Sequence, residues 1–262
     1  MIAVVTGASS GIGEATARRL AAEPGARLVL VARREERLRA LAEEIGGATI
    51  VALDLCDDDA PARVREAVER EHGGRLDLLV NNAGSSFNAP FGTDEGGWEN
   101  VRRTMALNFD AQLRLTEALL PLLRASAPSS IVNVASTAGR VGRAAGGAYS
   151  ASKFAFAGWT DSLHLEEKPR GVHVGLVLPG FVATEGFPQT MLVERSLTRW
   201  AVSRPERVAE AIMDAGPGGA AERYVPRAYW LAAVLRVVAP RLVRRAMQRG
   251  ADRLIMQGRD RL

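Results

Sequence analysis

Six short, almost wholly apolar runs recur along this chain, and most are followed by a longer stretch with apolar residues at helical spacing. They are IAVVT (2–6), RLVLVA (27–32), TIVAL (49–53), LDLLVN (76–81), SIVNVA (130–135) and VHVGLVL (172–178), with a weaker seventh, RYVP (223–226). Stretches such as GEATARRLAAE and EERLRALAEEI fill the intervals. A strand covered on one face alternates apolar with polar residues; these runs have few polar positions and need cover on both faces. Strand and helix in alternation give a parallel sheet with right-handed crossovers. The expected fold is therefore α/β and doubly wound, a mostly parallel seven-stranded sheet with helices on both faces. At 262 residues the chain suffices for one large domain with a well-buried core. The expected organisation is one α/β domain over 1–225, with the loop GPGGAAE (216–222) before its last strand, then a basic helical extension over 226–262.

Charge is distributed unevenly. Residues 226–262 hold nine Arg and two Asp, a net of +7 within a chain total of +4, so residues 1–225 sum to −3. The basic residues belong to the extension, and the body has no basic stripe interleaved with aromatics, so no nucleic-acid partner is expected. The extension places Trp230, Leu231, Val234, Leu235, Val238 and Leu242 among Arg236, Arg241, Arg244, Arg245, Arg249 and Arg253, and Pro240 should kink or divide it into two helices. Such a segment can pack on a subunit, cover the substrate opening or lie on an anionic membrane surface. Packing or subunit contact is preferred over the membrane. No apolar run approaches the roughly 20 residues of a membrane span, and the chain opens directly on an apolar strand, so a cytoplasmic protein is expected. The single cysteine, Cys56, allows no internal disulfide and is expected to be a small, at least half-buried residue beside a strand. His72, His164 and His173 lack metal-ligand spacing, and no metal is expected.

The first strand runs straight into TGASSGIG (6–13) and then a helix. Glycines in that place allow a tight turn whose backbone approaches a pyrophosphate at a helix N-terminus, which favours negative charge. Gly7, Ser9, Ser10, Gly11, Ile12 and Gly13 are thus candidate cofactor-binding positions. NAD-binding folds usually carry Asp or Glu at the end of strand two. Here Ala32 is followed by Arg33 and Arg34, which suit a ribose 2′-phosphate, so NADP(H) is favoured over NAD(H). Glu35 and Glu36 leave open that these are ordinary surface charges. Asp54 and Leu55, after strand three, are candidates for the adenine edge, with an acidic helix cap in DLCDDD as the competing role for Asp54.

The chain has only two lysines and three tyrosines, and GGAYSASKFAF (146–156) puts one of each four residues apart, Tyr149 and Lys153. On a helix they share one face. A phenol titrates near 10, too high for acid/base work at neutral pH, and an ammonium beside it is expected to lower that value. Lys supplies a compact, mobile charge where Arg would bring a rigid fork. Ser136, at the end of the fifth run, falls where open α/β sheets bind ligands, and its hydroxyl can donate to a substrate carbonyl.

TGASSGIG, NNAG (81–84), Asn108, Ser136, Tyr149-x-x-x-Lys153 and Pro179-Gly180 occur in the order of the short-chain dehydrogenase/reductases, which the chain resembles over roughly 1–225. The resemblance implies a Rossmann fold and an NAD(P)-dependent oxidoreductase that passes hydride between nicotinamide and a carbonyl or alcohol. It implies Tyr149 as general acid/base, Ser136 holding the substrate, and Lys153 serving both the phenol and the cofactor ribose. It also implies a water held by Asn108 in a relay towards Lys153. Asn82, Ala83 and Gly84 would line the adenosine side, and Pro179, Gly180, Val182 and Thr184 the nicotinamide side. Phe181, Phe187 and Met191 are candidate substrate contacts, with packing of the segment against the body as an equal alternative. A homodimer or homotetramer is implied as well. Two other readings stay open: a peripheral membrane reductase of lipid-like, retinoid or steroid substrates, and a catalytically weak dinucleotide sensor or scaffold.

Overall fold

β1 (Ile2–Thr6) is the third strand from one edge of a seven-stranded sheet in the computed structural model, which describes residues 1–185 and 202–248. From β1 the chain builds outward through β2 (Arg27–Ala32) and β3 (Thr49–Ala52). It then returns to the other side of β1 with β4 (Leu78–Asn81), β5 (Ser129–Val134) and β6 (Val172–Pro179). A separate short pair, β7 (Phe181–Val182) and β8 (Val202–Ser203), precedes the last sheet strand, β9 (Glu222–Val225). The spatial order is β3-β2-β1-β4-β5-β6-β9 and every pairing is parallel, with Val5 level with Leu30 on one side and Val80 on the other.

Period-two alternation divides the core. Ala3 and Val5 face one layer, where they pack with α1 (Gly11–Ala21), α2 (Glu35–Glu44) and α7 (Pro205–Ala215) through Leu20, Leu38 and Ile212. Val4 faces the other, with α3 (Ala60–His72) and α5 (Ala111–Ala125) contributing Val64, Leu115 and Leu119. On that side α6 (Gly147–Glu167) packs Phe156 and Ala157 on Leu176 and Leu178 of β6. The apolar runs are covered on both faces, as their composition requires.

Element ends differ from expectation for local reasons. The run LDLLVN enters the sheet at Leu78, and Asp77 just before it accepts the Ile2 amide with its carboxylate at 2.7 Å. Cys56 is exposed rather than half-buried. It sits in a turn closed by Asp54, whose carboxylate accepts the Cys56 amide at 3.0 Å. Pro240 starts a new helix over 240–248 after α8 (Trp230–Val238) ends, because proline suits a first helical position but not an interior one. No residue of α8 is buried. No helix among the described residues is long and apolar enough to cross a membrane.

Candidate active site

The order reversal at β1 and β4 opens a crevice at the carboxyl ends of these strands, the place where doubly wound sheets take ligands. The glycine turn leaves β1 there. Gly11 has a left-handed φ of +57°, and a side chain on Gly13 would lie 2.3 Å from the Gly7 carbonyl oxygen, so the turn tolerates only glycine at that point. Ser10 is the residue before α1, and its side chain makes no capping bond, leaving the first-turn amides to a ligand. Across the crevice the end of β4 is tied to the turn. Asn82 donates its side-chain amide to the Thr6 carbonyl at 2.9 Å, and the Asn82 and Ala83 amides donate to the Thr6 hydroxyl at 2.9 and 3.0 Å. Thr6 was not among the expected site residues, although it opens the TGASSGIG motif itself.

Arg34 lies across the turn, with its guanidinium 3.3 Å from the Ser9 hydroxyl and 3.2 Å from the Ser9 carbonyl. Arg33 is largely exposed and reaches Asp54 at 3.6 Å, while Arg34 stands 3.6 Å from Glu185. Arg34 is thus tied to the turn itself, while the exposed ion pairs of both cations contribute little. Asp54 closes its own turn and does not cap α3, whose preceding residue is Asp59, and Leu55 is buried. Thr184 covers Gly11, where an added Cβ would meet its Cγ2 at 3.0 Å. Beside them an open cleft of about 390 Å³ is lined by Gly11, Glu14, Arg18, Thr184 and Pro205. Ile12 packs against the core, and Val182 is buried.

Ser136, Tyr149 and Lys153 converge at the ends of β5 and β6. Ser136 is buried, accepts the Ala138 amide at 3.1 Å and donates to the Pro179 carbonyl at 3.3 Å. Tyr149 and Lys153 lie on one face of α6, with the amine 5.9 Å from the phenol ring centre. Lys153 is 4% exposed and donates to the Val134 carbonyl at 3.0 Å. Gly84 fits between Lys153 and Asn108: a Cβ there would lie 3.5 Å from Nζ and 3.0 Å from Oδ1. Asn108 is fully buried in a π-helical turn, Ala106–Asp110, and exchanges two 2.9 Å bonds with the Ser85 backbone while donating to the Ser152 hydroxyl at 3.1 Å. π-turns frequently mark functional positions.

The electrostatics differ from the simple pairing argument. Burial lowers the Lys153 amine to about 8 and pushes the Tyr149 phenol up. The groups that pull the phenol back down are the Ser136 hydroxyl and the charge of Arg143. Arg143 was not singled out by itself, although SSFNAP (85–90) and AGRVGRAAGG (138–147), which contains it, read as pocket walls; it sits over the Phe181 ring, 5.6 Å from its centre, and lines a cleft of about 270 Å³ with Ala89, Phe91, Asn100 and Ala148. Its only sequence signal is its place in the turn between Ser136 and Tyr149. Phe187 and Met191 lie outside the described residues. Gly180 donates its amide to the Val225 carbonyl at 2.8 Å and underlies the Tyr229 ring.

A phosphate-accepting turn facing a Ser–Tyr–Lys cluster across a switch point defines a dinucleotide-dependent oxidoreductase. The short chain dehydrogenase family model matches residues 1–191, and the chain belongs to that family. It is 42% identical over 192 residues to a protein named as a ketoacyl reductase of the monensin polyketide synthase of Streptomyces virginiae, covering 70% of this chain and 71% of that one. It is 33% identical over 270 residues to a fatty acyl-CoA reductase of Mycobacterium tuberculosis, covering 96% and 85%. Among solved structures, L-sorbose reductase from Gluconobacter frateurii, complexed with NADPH and L-sorbose, superposes with a TM-score of 0.74 at 27% identity, covering 85% of this chain and 93% of that one. The protein is an NAD(P)-dependent oxidoreductase that transfers hydride between nicotinamide and a carbonyl or alcohol.

Proposed function

We propose that the protein is an NADP(H)-preferring carbonyl reductase in which Tyr149 is the general acid/base. The observation that carries this reading is the convergence of Tyr149, Lys153 and Ser136 at the carboxyl edge of the sheet. The turn fits a dinucleotide because its helix N-terminus is uncapped and its glycines leave no room for side chains. Gly7, Ser9, Ser10, Gly11, Ile12 and Gly13 would hold the pyrophosphate, Arg33 and Arg34 the 2′-phosphate, and Asn82, Ala83, Gly84 and Thr184 the remainder. When bound, the dinucleotide supplies or accepts the hydride.

The chain's own groups handle the oxygen and the proton. Ser136 donates a hydrogen bond to the substrate oxygen, a type of contact worth several kcal/mol where charge develops. Tyr149 gives its phenolic proton to that oxygen in reduction and takes it back in oxidation. Arg143 stabilises the resulting phenolate, and Lys153 passes a proton taken up from solvent back to it, with Asn108 holding that side of the site in place. A homodimer or homotetramer accords with the exposed Trp98, Phe154 and Leu165 on α4 (Trp98–Met105) and α6.

The test is NADPH oxidation over a panel of aldehydes and ketones, with NADH in parallel. Tyr149→Phe should abolish turnover while NADPH affinity stays within about twofold; turnover retained by the variant refutes the mechanism. Arg33→Ala with Arg34→Ala should erase the NADPH preference, and a wild type that prefers NADH refutes that part. A second reading, long-chain acyl substrates, is supported by the fatty acyl-CoA reductase match over 96% of this chain. A kcat/KM that does not rise with chain length across the panel removes it.

A further inference from the structure

The extension is a surface element that the reductase reading leaves without a task. On α8, Trp230, Leu231, Val234, Leu235, Val237 and Val238 are all exposed, Val237 at 78% and Val238 at 70%. At the α-helical turn angle these six side chains cover an arc of about 160°, and Arg236 points away from its centre. Ala233 and Arg236, on the opposite side, are half-buried, so the wide apolar face is the outward one. The helix over 240–248 adds exposed Leu242 and Met247 together with exposed Arg241, Arg244 and Arg245. Residues 226–248 hold five arginines and no acid, and residues 249–262 add four arginines and two aspartates. None of the five has a carboxylate partner among the described residues.

The root of this element is fixed. It leaves the carboxyl end of β9 through a turn, Arg227–Tyr229, whose Tyr229 ring packs on Gly180, where an added Cβ would come within 1.9 Å of the ring. That is the edge of the sheet that carries Ser136 and Pro179. We propose that the outward face of residues 230–247 seats in the interface of an anionic lipid bilayer, with the arginines on the headgroups, so that the active-site edge faces the membrane. An apolar face flanked by unpaired cations is the pattern of an interfacial helix. A second copy of the same helix would bring like charges together, which disfavours self-pairing. The seating requires no turnover, so it stands or falls separately from the reductase reading.

The experiment is co-sedimentation of the full chain with vesicles of phosphatidylglycerol and phosphatidylcholine in equal parts, and with phosphatidylcholine alone. Strong binding to the anionic vesicles and weak binding to the neutral ones is expected. The exposed-site variant L231Q/L235Q/V238Q should lower the partition coefficient by about tenfold or more. R241Q/R244Q/R245Q should lower it by about a hundredfold, as should raising the salt to roughly 0.5 M. Both variants should melt at the wild-type temperature, since every substituted side chain is exposed. Absence of binding to anionic vesicles, equal binding to neutral ones, or binding indifferent to both variants overturns the proposal. So does an apolar variant that splits an oligomer in lipid-free buffer, which would assign the face to a second copy.

Discussion

Replacing Lys153 with Met should make the cofactor-free protein more stable at neutral pH. The amine is 4% exposed, and burial holds it at about 8 in place of 10.5. Keeping it charged at pH 7 therefore costs the fold roughly 3 kcal/mol relative to an unfolded chain whose lysine is solvated. Met has similar length and suits the contact with Phe156, whose ring centre lies 5.6 Å from the amine. The variant leaves the Val134 carbonyl without its lysine donor, a loss of about 1 kcal/mol. The net gain is about 2 kcal/mol, or about 5 °C in Tm for a chain of this size. The sign depends on pH in a specific way. Between about 8 and 10.5 the unfolded lysine binds the proton that the folded one has lost, so wild-type stability rises with pH through that window, while the penalty is complete below it. At about pH 9.5 the advantage of the Met variant should shrink to within roughly 0.5 kcal/mol. Calorimetric melts of both proteins at the two pH values check this. A variant less stable at pH 7, or an advantage unchanged at the higher pH, refutes the account. Turnover should be lost in the variant, the usual exchange of stability for function at such sites.

Two further substitutions test the scaffold. Gly13→Ala puts a Cβ 2.3 Å from the Gly7 oxygen and 2.7 Å from the Asn82 amide. It should destabilise by about 1–3 kcal/mol and weaken NADPH binding by about a hundredfold in a fluorescence titration, and unchanged affinity would remove the turn from the cofactor site. Glu167 is 1% exposed and accepts two hydrogen bonds from Arg124, at 2.6 and 2.8 Å, which hold its carboxyl below the usual range. Glu167→Gln should cost about 2 kcal/mol at pH 7, the figure being kept low because Arg124 is partly solvated. That deficit should vanish as the pH falls through the depressed carboxyl value, because the wild type then loses the same ion pair; a pH-independent deficit in urea melts refutes the assignment.

Most of the sheet was legible because burial on both faces leaves a compositional mark. β1 and β2 begin and end where their apolar runs do, and the sequence order of strands and helices constrains the crossovers to one hand. What composition cannot carry is the third partner of a group. Nothing in DLCDDD says that Asp54 closes a turn around Cys56 and leaves the thiol side exposed. Nothing in LDLLVN says that Asp77 is spent on the Ile2 amide. In the extension, amphipathic spacing showed a helix with an apolar face, but whether the body covers that face depends on where the chain leaves β9.

The site divides along the same line. Spacing put Tyr149 and Lys153 on one helical face, yet the direction of each pKa follows from depth, which spacing does not encode. Burial works against both charged forms, and the cation acting on the phenol is Arg143, ten residues before Lys153 in a turn without periodicity. The clearest case is Asn81. The run LDLLVN places it at a strand end, and it does end β4 and is buried, but nothing in the run names its partners. The parallel register sets it level with Asn133 in β5, to which it donates at 2.9 Å, while its other amide hydrogen reaches the Thr116 hydroxyl at 2.8 Å. Asn133 in turn donates to the Thr160 hydroxyl at 2.9 Å. A buried polar chain thus links α5, β4, β5 and α6, and buried polar groups of this kind hold their neighbours to one geometry because an unmade bond is costly. Thr160 lies two turns beyond Lys153 on α6. The orientation of the helix that carries the Tyr–Lys pair is therefore fixed from beneath by two asparagines whose contact becomes visible only once the strands are paired.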